Sequence, residues 1–286
     1  MKDAKIKSIF SVDVEDWFHI LDVPSTPEIS EWDSLPSIVE QNFIKLLDIF
    51  SEKNVPATCF FLGYVAKRFP KLVKEASARG HEIASHGYSH RLIYQMTPKE
   101  FLEDLLQSKR VLEDLIGQEV IGFRSAGFSV TKETPWFYDK LIEANYRYDS
   151  SVFPAVRGHG GLKTTNYGPH LVLAKSGRIM EFPITVLNIL GKALCFFGGG
   201  YLRFFPYRLV KLMAHRVLRE GRPVVYYVHP REIDSNHPRL TMNLKRRFKS
   251  YVNLKGMERK IINILGEFEF CTFQQFIHEN IMLSER

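Results

Sequence analysis

Three carboxylates fall within four positions near the start of the chain: Asp13, Glu15 and Asp16 in FSVDVEDWFH (10–19), directly after the apolar run Ile6, Ile9, Phe10 and Val12. Charges at the end of a buried strand cost on the order of several kcal/mol per ion unless something pairs or coordinates them. A second cluster is HEIASHGYSH (81–90), with His81, His86 and His90. His81 and His86 are five apart, so the helical HExxH site of a metalloprotease is excluded. His86 and His90 are four apart and enclose Gly87 just after a strand. A glycine-bearing turn can aim both imidazoles at one point, and two neutral imidazoles with a carboxylate make a catalytic divalent-metal site with open positions. His81, between Gly80 and a strand, is expected to be structural.

These residues need a scaffold, and the hydrophobic pattern supplies one. KSIFSVD, VPATCFFLG, HEIASHG, VIGFRS, YRYDSSVFP, RIMEFPITVL and PVVYYVH read as strands. Between them lie helical stretches: 37–53, AKRFPKLVKEASARG with its stop at Gly80, TPKEFLEDLLQSKRVLEDLIG with Thr97 capping and Gly117 closing, TKETPWFYDKLIEANY, and FPYRLVKLMAHRVLREGR. The tail reads as two helices flanking a short strand, and about 155–205 is glycine-rich and less regular. Alternating strands and helices predict a mostly parallel α/β sheet, here an incomplete barrel. Function in such barrels gathers at the C-terminal strand ends. Asp13, His86, Arg124, Asp149 and His229 each follow a predicted strand.

Composition is that of a globular chain: 286 residues, 45% apolar, 25% charged. Cys59, Cys195 and Cys271 are scattered, so neither a disulfide framework nor a cysteine zinc site is expected. MKDAKIKSIFSVDVED holds no leader-like apolar core, and no stretch is long enough to span a membrane, so a cytoplasmic protein is expected. The net charge is +7, and RLTMNLKRRFK (239–249) carries five basic residues and no acid. That run is either a solvated face or a docking surface for an anionic substrate, a diphosphate-linked carrier or a membrane. Nucleic acid is not expected, because no nucleic-acid-binding module is present.

Taken in order, the acidic strand end, PATCFFLG, RGHEIASHGYSH, GFRSAGFS, YDSSVFP and YYVHP resemble the polysaccharide deacetylase family, the NodB-homology carbohydrate esterases. SVDVEDWF, GGGYLRFFPY and RRFKSYVNL resemble more narrowly a bacterial subgroup associated with exopolysaccharide and surface-glycan gene clusters. The resemblance implies one catalytic domain over 1–286, a distorted, incomplete (β/α) barrel of the NodB-homology type with a C-terminal helical extension. It implies a hydrolase removing an N-acetyl group from an amino sugar of a surface polysaccharide, O-antigen (lipopolysaccharide), exopolysaccharide or precursor, using one divalent metal, most simply zinc. An N-acetylated oligosaccharide or a lipid- or nucleotide-linked glycan precursor would be the partner, with peripheral membrane contact through the basic surface.

By the same resemblance Asp13 is the catalytic base, Arg124 orients it and His229 is the general acid. His86 and His90 are metal ligands, completed by Glu15 or Asp16. Glu15 shares a strand face with Asp13, whereas a break at Val14 would bring in Asp16, the residue type usual in the family and the one favoured here. Three departures stand out: DVED replaces an adjacent DD pair, Ala126 replaces a proline, and YDSSVFP replaces a tryptophan form of the fourth motif. Asp149 is therefore expected to accept the second ring proton of His229. Phe128, and Tyr201 and Arg203 on a glycine-opened loop in FFGGGYLRFFPY, are expected to line the sugar site. Competing classes are a glycoside hydrolase with paired carboxylates, a non-catalytic glycan-binding relative, and a small-molecule amidohydrolase.

Overall fold

The computed structural model describes residues 6–21, 23–155 and 160–280. Residues 1–5, from the stretch in which no leader is expected, and 156–159, from the glycine-rich middle, lie outside them. The strands are β1 Ser8–Val14, β2 Thr58–Phe61, β3 Glu82–Ser85, β4 Gly122–Phe123, β5 Tyr148–Asp149, β6 His170–Ala174, β7 Gly177–Glu181, β8 Val186–Ile189, β9 Lys192–Cys195, β10 Val225–Val228 and β11 Phe270–Cys271. One sheet runs β10-β1-β2-β3-β4-β5-β7-β6, with β11 paired to the start of β1. Every neighbouring pair in it is parallel except the β6–β7 hairpin. The path is open, so the expected incomplete α/β barrel is what forms. β8 and β9 make a separate hairpin, so RIMEFPITVL is not one strand but β7 and β8 divided by a bend.

β1 shows why this sheet presents chemistry at one end. All seven of its residues are buried, as in a parallel strand covered on both faces. Side chains alternate. Phe10, Val12 and Val14 join the large outer core beneath the helices. Ile9 points inward to a second cluster with Phe60, Tyr148, Phe182 and Phe273. Ser11 and Asp13 continue that inward face toward the C-terminal end, so the barrel is apolar at its base and polar at its mouth.

The helices are α1 Val39–Glu52, α2 Gly63–Arg68, α3 Pro70–Ala78, α4 Pro98–Ile116, α5 Phe137–Glu143, α6 Gly199–Phe204, α7 Tyr207–Arg219, α8 Leu244–Tyr251, α9 Met257–Glu267 and α10 Phe273–Asn280. α4 has the capping box of Thr97 and Glu100 and ends at Gly117 in the left-handed region. Its Phe101, Leu105 and Leu112 are fully buried, each stabilising the fold by roughly 1.5–3 kcal/mol. The expected helix at AKRFPKLVKEASARG is two, α2 and α3, because Pro70 starts a new first turn and disfavours helical geometry at Phe69. The glycine-opened loop at 199–204 is instead the short helix α6. A side chain at Gly198 would place its Cβ 2.0 Å from the Tyr227 ring, so this glycine serves close packing against β10.

Candidate active site

Arg124, fully buried just after β4, anchors the site. Its Nη1 donates to Asp13 Oδ1 at 2.7 Å and to Ser11 Oγ at 2.8 Å; Nε and Nη2 donate to Ser150 O and Oγ. The guanidinium lies 4.1 Å from the Phe60 ring centroid, between the apolar plug below and the carboxylate above. One oxygen of Asp13 is thereby fixed. The other, Oδ2, lies 3.8 Å from His229 Nε2.

β1 ends at Val14, and the backbone turns at once: Glu15 N donates to Asp13 O. Glu15 Oε2 meets His90 Nε2 at 2.6 Å and Oε1 lies 3.6 Å from His229 Nε2. Burial alone would raise the Glu15 carboxyl, but His90 and His229 together hold it well below the usual carboxylate range. Donor atoms of Glu15, His86 and His90 all lie within 4.8 Å of one another, and all three residues are buried. His86 Nδ1 is 2.8 Å from the Arg124 carbonyl, which makes Nδ1 the protonated nitrogen and leaves Nε2 as a lone-pair donor. Two imidazoles and a carboxylate with one tautomer already fixed are a fitting set for a divalent metal.

The expectation that favoured Asp16 as the ligand is corrected. Asp16 accepts from Trp17 N at 2.9 Å and Ile38 N at 3.2 Å, and Ser37 Oγ also donates to it. Its carboxylate caps the 3-10 turn Trp17–His19 and is used up there. The strand does break at Val14, but the break carries Glu15, with its longer arm, into the histidine pair.

His90 sits at φ 54° and Gly87 at φ 76°, and this turn brings the two imidazoles together. Asp104 of α4 holds it from outside, accepting from Tyr88 N at 2.7 Å and from Ser89 N and Oγ. Asp104 escaped the sequence reading; an acid on a polar helix face looks like ordinary solvation, and only the fold puts it beneath the turn.

His229 follows β10. Burial pushes its imidazole down to about 4, with Glu15 and Asp13 opposing and Arg231 adding to the fall. The expected partner Asp149 is elsewhere: it accepts from Ser151 N and Oγ and stands opposite Glu181 in the β5–β7 register. The carboxylate behind His229 is Glu232, whose Oε2 accepts from His229 N at 3.1 Å and lies 3.5 Å from Nδ1. Glu232 is fully buried and ion-paired through Oε1 with Arg203 Nη1. Arg203, only 2% exposed, also donates to the Lys249 carbonyl. Arg203 is among the residues that line the cavity, but its guanidinium is buried and paired with Glu232 behind the histidine.

A cavity of about 700 Å³ opens over Asp13, Glu15, His86, His90 and His229. Phe128, Tyr201 and Tyr227 form one aromatic wall, and α8 contributes Arg246, Phe248 and Lys249 to another. Phe128 packs edge-on against Tyr227 at 4.9 Å, and Tyr201 is 38% exposed. A carboxylate with one oxygen left free, a Glu15–His86–His90 group fit to hold a metal, and a buried histidine converge in a cavity sized for a sugar.

Residues 29–147 match the family model described as polysaccharide deacetylase, and residues 150–278 match a model described as a domain of unknown function. The large sheet runs through both segments: His86 and His90 come from the first, His229 from the second. A peptidoglycan deacetylase of Helicobacter pylori is 31% identical over 108 residues, 38% of this chain and 36% of that protein. The chain thus spans about a third of the length of that relative. Among solved structures, a probable polysaccharide deacetylase from Pseudomonas aeruginosa PAO1 superposes with a TM-score of 0.62 at 20% identity, covering 98% of this chain and 93% of the other. Puue allantoinase superposes with a TM-score of 0.64 at 19% identity, covering 98% and 92%. At these identities the likeness is one of fold.

Proposed function

We propose, from the match of residues 29–147 to the polysaccharide deacetylase family model, that the chain hydrolyses the N-acetyl group of an amino sugar with the help of one divalent metal ion. The observation that carries the proposal is the convergence of Glu15, His86 and His90 donors beside Asp13 and His229 in one cavity. In this reading Glu15, His86 and His90 hold the ion, and zinc suits the donor set. Such an ion supplies Lewis acidity toward a water and toward the acetamide carbonyl.

The chain's own residues carry the proton traffic. Asp13, one oxygen fixed by Arg124, accepts a proton from the attacking water at its other oxygen. His229 Nε2, 3.8 Å from Asp13 Oδ2, passes to the departing amine the proton that Asp13 takes from the water. The water oxygen ends on acetate and the amide nitrogen leaves as a free amine. Phe128, Tyr201 and Tyr227 offer ring faces to the sugar.

The substrate we propose is a bacterial surface polysaccharide, O-antigen or a lipid- or nucleotide-linked precursor, a reading supported by SVDVEDWF, GGGYLRFFPY and RRFKSYVNL. Among the described residues no helix is long and apolar enough to cross a membrane. Leu244 and Phe248 of α8 face outward beside Lys245, Arg247 and Lys249, which suits peripheral contact with an anionic membrane.

The test is acetate release from tetra-N-acetylchitotetraose, with allantoin as a parallel substrate. Acetate with unchanged chain length, abolished by a chelator and restored by zinc, is expected. Release that survives metal removal overturns the metal-dependent reading, chain shortening points to a glycoside hydrolase, and turnover of allantoin alone to a different amidohydrolase. Asp13→Asn and His229→Ala should each lower kcat by about 10²–10⁴-fold, the usual contribution of a general base or acid.

A further inference from the structure

Three carboxylates line the cavity, and each is committed: Asp13 to Arg124, Glu15 to His90, and Glu232 to Arg203. Arg231, two residues beyond His229, also lines the cavity and has no such partner. Its side chain is 7% exposed, and no carboxylate pairs with it among the described residues. Its one hydrogen bond is a long one, 3.4 Å from Nη1 to the carbonyl of Ser250, and its buried Nε makes none. Burial pushes the guanidinium below its ordinary range, and the through-space attraction of Glu15 offsets this only in part. A single carbonyl does not neutralise a buried guanidinium, and an unpaired buried charge is among the costlier features a fold can keep. Such a cation beside a catalytic cavity is explained if its counter-charge arrives with the ligand.

The neighbouring wall has the same sign. Lys249, next in sequence to the Ser250 that Arg231 touches, lines the cavity with an exposed side chain. Lys245 and Arg247 follow on the outer side of α8, and 239–249 contains no acid. The Lys249 carbonyl is fixed by Arg203, so α8 is tied to the floor of the site through the same residue that pairs with Glu232.

We propose that Arg231, assisted by Lys249, forms an anion subsite, so that the N-acetylated sugar this cavity takes also carries a carboxylate or a phosphate. The inference rests on reading the cavity as the sugar site and narrows the substrate from amino sugars in general to anionic ones. Guanidinium accepts either anion in the same bidentate manner. A carboxylate would come from a uronic acid within the glycan, and a phosphate from a nucleotide or lipid carrier.

Three probes separate these sources: neutral tetra-N-acetylchitotetraose, a tetrasaccharide alternating N-acetylglucosamine and glucuronate, and UDP-N-acetylglucosamine. Binding is read by calorimetry and turnover by acetate release, on the metal-loaded full chain, for the wild type, Arg231→Met and Arg231→Lys. At least one anionic probe should bind about tenfold or more tightly than the neutral one, the scale of a charge-assisted pair. Arg231→Met should erase that preference and Arg231→Lys keep part of it. Preference for the glucuronate probe assigns the carboxylate, and preference for the nucleotide sugar assigns the phosphate. Equal affinities in the wild type, no binding of any probe, or a preference undiminished in Arg231→Met overturn the subsite; if Arg231→Met does not fold, the wild-type affinities and Arg231→Lys decide. An anion preference without acetate from any probe would sink the deacetylase reading and leave the subsite standing.

Discussion

Asp16 accepts two backbone N–H groups and the Ser37 hydroxyl, so its carboxylate closes the turn that β1 enters at its end. Glu15, one residue earlier, has no such local task and reaches the histidines. The two acids should therefore separate cleanly when changed. Glu15→Gln should empty the proposed metal site, read as metal content after gel filtration. Asp16→Asn should keep the metal but lower stability by about 1–2 kcal/mol, the loss of a helix cap and a charge-assisted bond, read as a urea midpoint. Metal retained in Glu15→Gln and lost in Asp16→Asn would reverse the assignment. Behind His229, Glu232 and Arg203 form a pair with almost no access to water. Removing one partner strands the other, so Glu232→Gln or Arg203→Met should each destabilise by about 3–5 kcal/mol. The double variant should recover much of that loss, and a denaturation cycle of the four proteins measures the coupling.

At the scale of elements, the site is made by turns that leave parallel strands and by what stands behind those turns. The turn after β3 is held in left-handed geometry at Gly87 and His90 by Asp104 on α4. Asp104→Ala should leave α4 intact but let the turn relax, lowering metal affinity by about 10–100-fold, the effect typical of supporting residues around a metal; competition with a calibrated chelator reads it. Some of this was legible in sequence. The alternation of strands and helices predicted the parallel sheet, and GHEIASHGYSH predicted a turn with two imidazoles, because both follow from local spacing. Glu232, Asp104 and Arg231 were not singled out, because each acts across elements far apart in sequence. The choice between Glu15 and Asp16 hung on a one-residue backbone turn, which period-2 reasoning cannot resolve once the strand stops. The expectation that Asp149 backs His229 follows from the altered fourth motif YDSSVFP, but β5 and β10 are separated in the sheet by β1, β2, β3 and β4.

Over the whole molecule, buried ionisable groups outside the site set the response to pH, and they pull in opposite directions. His81, whose Nδ1 accepts from Ala57 N, and His237 are both pushed down by burial to about 4. An unfolded histidine titrates near ~6.5, so the unfolded chain binds more protons between about 4 and about 6.5. The stability held by keeping these imidazoles neutral is present above that window and lost as pH falls through it. Asp149 is pushed up to about 6 by burial, and Glu181 beside it is raised further from its ordinary value by burial and by Asp149. Their folded values exceed the unfolded ones near ~4, so their contribution is full below about 4 and is lost as pH rises, for Asp149 through about 6. Urea midpoints at pH 5 and pH 7 should therefore diverge by variant. His81→Gln/His237→Gln should lose less stability on acidification than the wild type, because the groups that penalise low pH are gone. Asp149→Asn/Glu181→Gln should lose more, because the opposing carboxyl pair no longer offsets the remaining histidines. Equal differences between the two pH values in all three proteins would show that neither set of groups governs the pH response.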